Sequence, residues 1–159
     1  MLEWLESTKL AVWIGESPSI WSLPTILTLH TIGMAVLVGA SWVLDLRLLG
    51  VNRRSPLSAY RWVFPVIGIG LLVNVVTGAL LFIKNATKWG TAIPFLVKMV
   101  FIVASVATLF PLRSHMKRND ADAEATNKVG DKFSFLAIAS ILAWTGAITA
   151  GRLLAYLVP

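Results

Sequence analysis

Cysteine is absent from this chain of 159 residues, and that one absence removes disulfides, thiolate metal sites, iron–sulfur clusters and covalent C-x-x-C-H haem attachment. Charge is scarce as well. Charged residues make up 14% of the sequence against 57% hydrophobic ones, and the mean hydropathy is +0.76. A soluble domain carries about 25% charged residues, so that class is excluded and an integral membrane protein is expected. Acidic residues are the scarcer sign, 8 against 14 Lys and Arg. A net charge of +6 would point a soluble chain toward nucleic acid, but in a membrane protein the positions of the charges set topology, and no nucleic-acid partner is expected. Also missing are H-E-x-x-H, P-loop, G-x-S-x-G and dinucleotide fingerprints, and paired carboxylates within the apolar runs. Soluble-type enzymology and a di-metal centre are therefore not expected. Glu3 and Glu6 precede the first lysine, so no cleaved signal peptide is read at the start.

What is present is apolar length. Four runs, at 19–49, 62–83, 94–112 and 133–157, are each long enough to cross a bilayer. The first would reach ~45 Å as a helix against a hydrocarbon core of ~30 Å, so it must tilt, project beyond the core or be interrupted near Pro24. Ahead of it, Leu2 to Ile14 mixes Leu2, Trp4, Leu5 and Trp13 with Glu3, Glu6 and Lys9, the pattern of a short helix lying at the headgroup level. The other reading of these residues is a frayed terminus. Gly15 should end that helix, and Ser17-Pro18 should begin the first span. The links at 52–60 and 85–93 and the hydrophilic loop 113–132 are short, so consecutive spans must be antiparallel neighbours. The expected fold is a single all-α domain over 1–159, a four-transmembrane-helix up-down-up-down bundle with a short N-terminal interfacial helix.

Nine basic residues, Arg47, Arg53, Arg54, Arg61, Arg113, Lys117, Arg118, Lys128 and Lys132, flank the first and third links, against five, Lys9, Lys84, Lys88, Lys98 and Arg152, on the other side. The positive-inside rule then places both termini outside the cytoplasm. Trp13, Trp21, Trp62 and Trp89 fall near the predicted interfaces, while Trp42 and Trp144 are deeper.

Within the first run stands His30. An ionisable side chain at such depth is costly and marks a site. On the predicted topology Lys98 and Arg152 reach a similar level in the outer half of the bundle, with no acidic residue of the spans at that level to neutralise them and Glu16, at the outer surface, the nearest candidate partner. An imidazole with two cations suits a b-type haem, His30 taking the iron as metal ligand and Lys98 and Arg152 pairing with the propionates, or a quinone headgroup. His115 lies about 20 Å of helix rise from His30 and cannot share its haem within one subunit. Met99, a partner subunit's histidine or an open position must then complete the coordination. The blander readings are that His30 bonds a Thr, Ser or Asn of a neighbouring helix and that Lys98 and Arg152 snorkel to the interface. Asp45 shares a helical face with His30, Met34 and Ser41. With Arg47 it forms either one end of a proton or ion path or a structural ion pair. Gly70, Asn74 and Gly78, at four-residue spacing, read as a close helix contact.

The segments LHTIGMAVLVGASWVLDLRLLG, TGALLF, PFLVK and LAWTGAITAGR together resemble an uncharacterised bacterial family of small four-span inner-membrane proteins. The likeness covers most of the chain and includes His30, Asp45-Leu46-Arg47, Thr77-Gly78, Lys98, Trp144 and Gly151-Arg152. It implies a multi-pass protein of the bacterial inner membrane, in which the charge count makes both termini periplasmic, and brings no activity with it. The L-H-x-x-G-x-x-x-x-V-G pattern from Leu29 is more distantly similar to copper-resistance D-type membrane domains, from which this chain departs in having no cysteine and no further histidine within its spans.

The expectation is therefore a cofactor or quinone site in the periplasmic half, with haem b and membrane electron transfer as the leading chemistry. The bilayer would be joined as partner by further copies or other membrane subunits. The alternatives are a structural or accessory subunit of a larger complex, and a proton or small-ion pathway.

Overall fold

A computed structural model describes residues 2–52, 54–118 and 130–157. Two short helices, α1 (Leu2–Glu6) and α2 (Lys9–Glu16), precede α3 (Leu23–Leu48). A 3-10 turn at Leu57–Tyr60 leads into α4 (Val63–Lys84), and α5 (Ala86–Gly90), α6 (Ile93–Arg118) and α7 (Asp131–Leu157) follow. The four long helices are all long and apolar enough to cross a membrane, and the described residues contain no strand. The fold is the expected all-α bundle.

The helix ends follow from local chemistry. The single N-terminal helix expected over Leu2 to Ile14 is two helices, because the Thr8 side chain accepts a hydrogen bond from the Ala11 amide at 3.3 Å and caps a new start. Gly15 does not stop α2. Ser17 does, in the extended conformation (ψ 129°) that a residue before proline prefers. The first span then begins at Ser22 rather than at Ser17-Pro18, with Pro24 in the first turn, where a missing N–H costs nothing. It ends in a Schellman motif: Gly50 adopts φ 101°, its amide bonds the Arg47 carbonyl at 3.2 Å, and the Val51 amide bonds the Leu46 carbonyl at 3.0 Å. At 26 residues α3 is about 39 Å long. The third span overruns its expected end at 112, since α6 passes through Pro111 and continues to Arg118, taking in the first residues of the expected loop.

The bundle closes as a ring in which α3 packs against α4 and α7, and α7 against α6. Facing pairs run antiparallel: His30 and Leu37 of α3 meet Thr77 and Gly70 of α4, while Phe101 and Lys98 of α6 meet Gly146 and Gly151 of α7. The tightest seam is α3 against α4. A Cβ on Gly70 would stand 2.9 Å from the Leu37 backbone nitrogen, so no larger residue fits without parting the helices. The seam between α4 and α6 is wider. It closes at one end where the rings of Phe82 and Phe95 stack at 5.1 Å, and at the other where the Arg61 guanidinium donates to the Met116 carbonyl at 3.1 Å.

One core cluster holds Leu37, Val38, Leu44, Ile67, Leu112, Trp144 and Ala147. A smaller one at the other end joins Ile14 of α2 to Ile26 and Leu81, with Trp89 packed against it. There α1, α2 and α5 form a cap over the ends of α3 and α4. The cap is pinned by Glu6, whose Oε1 accepts from the Thr87 amide at 2.9 Å and the Thr87 hydroxyl at 2.6 Å. These bonds hold the Glu6 carboxyl below its ordinary pKa of 4.5, the hydroxyl contributing most. Trp4, Trp13 and Trp21 are exposed at the cap end and Trp62 at the opposite, basic end, where interfacial tryptophans belong.

Candidate functional site

His30 sits two turns into α3 on the face turned to α4, half-buried. Its Nδ1 lies 2.8 Å from Thr77 Oγ1, and that hydroxyl is itself 2.6 Å from the Val73 carbonyl. The carbonyl can only accept, so the single hydroxyl proton goes to Val73, and the bond to His30 needs a proton from the ring. In the neutral imidazole this puts the hydrogen on Nδ1 and leaves a lone pair on Nε2. Nε2 has no hydrogen-bond partner among the described residues. Gly78, one residue past Thr77, makes room: a Cβ there would stand 3.3 Å from the ring's Cε1.

Lys98 enters from α6. Its stem lies along Gly151 of α7, with Nζ 3.6 Å from where a Cβ would be, and the Phe82–Phe95 stack one turn away sets it at the level of Gly78 and the His30 ring. No acceptor bonds that ammonium among the described residues. On α4, one turn from Thr77, the half-buried Asn74 donates to the Gly70 carbonyl at 3.0 Å, and its buried Oδ1 has no donor among the described residues. The site thus combines two lone-pair acceptors with one cationic donor, contributed by three helices.

The remaining expected members are elsewhere. Arg152 is exposed, and no described contact joins it to His30 or Lys98. Met99, one residue from Lys98, lines a shallow apolar groove on the outside of α6 with Val100, Val103 and Ala104. His115 is at the basic end, its ring 5.0 Å from that of Phe133. Among the described residues no three His, Asp or Glu side chains converge as a metal-binding group. The fit to haem is therefore partial: the chain offers one imidazole, correctly held by its other nitrogen, and no second ligand beside it.

A second polar group is buried near the basic end. Asp45 is 3% exposed and Ser140 and Trp144 are 0% exposed. The Ser140 side chain lies beside the Asp45 carboxyl, yet Asp45 Oδ2, Ser140 Oγ and Trp144 Nε1 have no hydrogen-bond partner of good geometry among the described residues. Arg47, two residues from Asp45, turns instead to the Ser55 carbonyl, which its Nε reaches at 3.0 Å. Between this group and His30 lies an apolar layer of Leu37, Val38 and Ala147. Hydroxyls in and near it turn back on their own helices, Ser41 to Leu37 at 2.9 Å and Ser105 to Phe101 at 2.8 Å. His30 and Asp45 therefore occupy separate polar layers, with no continuous polar lining between them among the described residues. The sequence marks Asn74 only as a helix contact and gives Thr77 and Ser140 no site role, since a hydroxyl or amide in an apolar helix usually serves packing. A pairing of His30 with Thr77 needs the α3–α4 register.

Fold and site together define a multi-pass α-helical membrane protein with a polar site in the half nearer the cap. Comparison with protein families, with curated proteins and with solved structures returned no match.

Proposed function

We propose that the chain binds the headgroup of a lipophilic quinol or quinone at the His30–Lys98 site and serves membrane electron transfer there. The observation that carries this reading is the bond of His30 Nδ1 to a Thr77 hydroxyl already committed to the Val73 carbonyl, which leaves Nε2 uncommitted in the layer that Lys98 enters one turn from the Phe82–Phe95 stack. A quinol hydroxyl is the complement of that pair, since it can donate its proton to Nε2 and accept from Lys98 through its oxygen. On the orientation argued from the basic residues, with both termini periplasmic in a bacterial inner membrane, the site lies in the periplasmic half. The likeness to small four-span bacterial proteins belongs to the same reading.

A b-type haem is the second reading, favoured by the same held imidazole. His30 would supply one axial ligand, and a further copy or another membrane subunit the other. In the accessory-subunit reading, the His30–Thr77 bond does no more than join α3 to α4.

The test is binding of decylubiquinol to the detergent-purified chain, with an ultraviolet–visible spectrum of the same preparation. Saturable binding, lost in His30→Ala and weakened in Lys98→Gln, supports the quinol site. Binding unchanged in His30→Ala overturns it. A Soret band that disappears in His30→Ala moves the assignment to haem, and a change in thermal stability alone leaves His30 as a helix contact.

A further inference from the structure

The wide seam between α4 and α6 opens at the basic end into a groove of about 230 Å³, lined by Arg61, Phe64, Pro65, Arg113, Met116 and Lys117. Its composition is divided. Three cations come from two helices, with Arg113 and Lys117 one turn apart on α6 and Arg61 just ahead of α4, while Phe64, Pro65 and Met116 form an apolar wall. Arg61 is held in place by the Met116 carbonyl. The Arg113 and Lys117 side chains are exposed, so their charges are presented rather than spent on the core. Trp62, beside Arg61 and 60% exposed, marks this depth as the membrane interface.

We propose that this groove binds the phosphate headgroup of an anionic phospholipid, with an acyl chain lying along the α4–α6 seam. A guanidinium meets phosphate through two parallel N–H donors, and lysine adds a second positive charge. Beyond the groove both helices are apolar, with Phe64 and Leu71 of α4 and Val106 and Leu109 of α6 partly buried against the core. A free phosphate shares the headgroup chemistry but has no use for the apolar wall or the seam. The site is at the opposite end of the bundle from His30 and does not depend on the role proposed there.

The test is native mass spectrometry of the delipidated full chain in a neutral detergent, titrated with dioleoyl phosphatidylglycerol, with dioleoyl phosphatidylcholine, and with glycerol phosphate. Phosphatidylglycerol should bind in a one-to-one adduct roughly tenfold more tightly than phosphatidylcholine, and the double variant Arg113→Gln/Lys117→Gln should remove that preference. The control variant Arg54→Gln/Lys132→Gln carries the same loss of charge away from the groove and should keep it. Equal binding of the two lipids overturns the proposal, as does an equal loss in the control variant. Competition by glycerol phosphate at a matching affinity would make the groove a site for soluble phosphates and overturn its assignment to lipid. Arg113 and Lys117 are both exposed, so their replacement leaves the core and the fold intact.

Discussion

The hydroxyl of Thr77 accepts the Nδ1 proton of His30 at 2.8 Å while giving its own proton to the Val73 carbonyl at 2.6 Å. One threonine thus sets both the orientation and the tautomer of the only ionisable side chain that α3 contributes to the cap-end half.

Thr77→Val keeps the volume and removes the acceptor. Interhelical bonds in membranes average ~0.6 kcal/mol and reach ~1.7. Because this bond holds an imidazole, a loss of about 1 kcal/mol is expected in reversible unfolding from mixed micelles. Thr77→Ser should restore it. If the site binds quinol, Thr77→Val should also weaken decylubiquinol by freeing the ring to rotate.

Gly70→Ala tests the α3–α4 seam. The added methyl would stand 2.9 Å from the Leu37 backbone nitrogen, which cannot swing aside, so a loss of about 1–3 kcal/mol is expected. On the same helix nothing lies within 4 Å of a Cβ at Gly68. Gly68→Ala should therefore be neutral or gain about 0.5–1 kcal/mol from helix propensity. The contrast between the two, in one unfolding assay, is the measurement.

Asp45→Asn should leave the protein as stable as before or raise stability by about 1 kcal/mol. The carboxyl is buried and its Oδ2 has no hydrogen-bond partner among the described residues, so an amide there removes the cost of desolvating a carboxylate. A marked destabilisation in a thermal melt at pH 7 would mean that the carboxylate has a cationic partner.

The cap should loosen in acid. Glu6 has a lower pKa folded than its ordinary 4.5, so it contributes stability above 4.5 that is lost as pH falls through the lowered folded value. The chain has no cysteine, so Ser7→Cys would provide the only thiol for a spin label on the exposed turn after Glu6. Label mobility should rise below pH 4.5, and should already be high at pH 7 when Glu6→Ala is added.

The spans were legible because about 25 consecutive apolar residues have one physical solution in lipid. Their ends were less so. Pro18 and Pro24 are equally good helix starters, and only the turn that Ser22 makes, with its hydroxyl on the Ser19 carbonyl at 2.6 Å, decides between them. Pro111 and the charges after it signal a stop, yet α6 runs on, its far end packed through Met116 in the core and bonded to Arg61. In the site, His30 stood out as a costly residue in an apolar run. Arg152 shares its depth by sequence, but its side chain is exposed. Arg61, Arg113 and Lys117 served only as topology signals in the sequence, because the groove they share forms where α4 meets α6, 50 residues apart along the chain.

The apolar layer of Leu37, Val38 and Ala147 has an electrical consequence. Held between a polar group near each face, it is the low-dielectric gap of a small capacitor, across which most of a transmembrane voltage would fall. A charge gained at His30 would then reach Asp45 as a change of field.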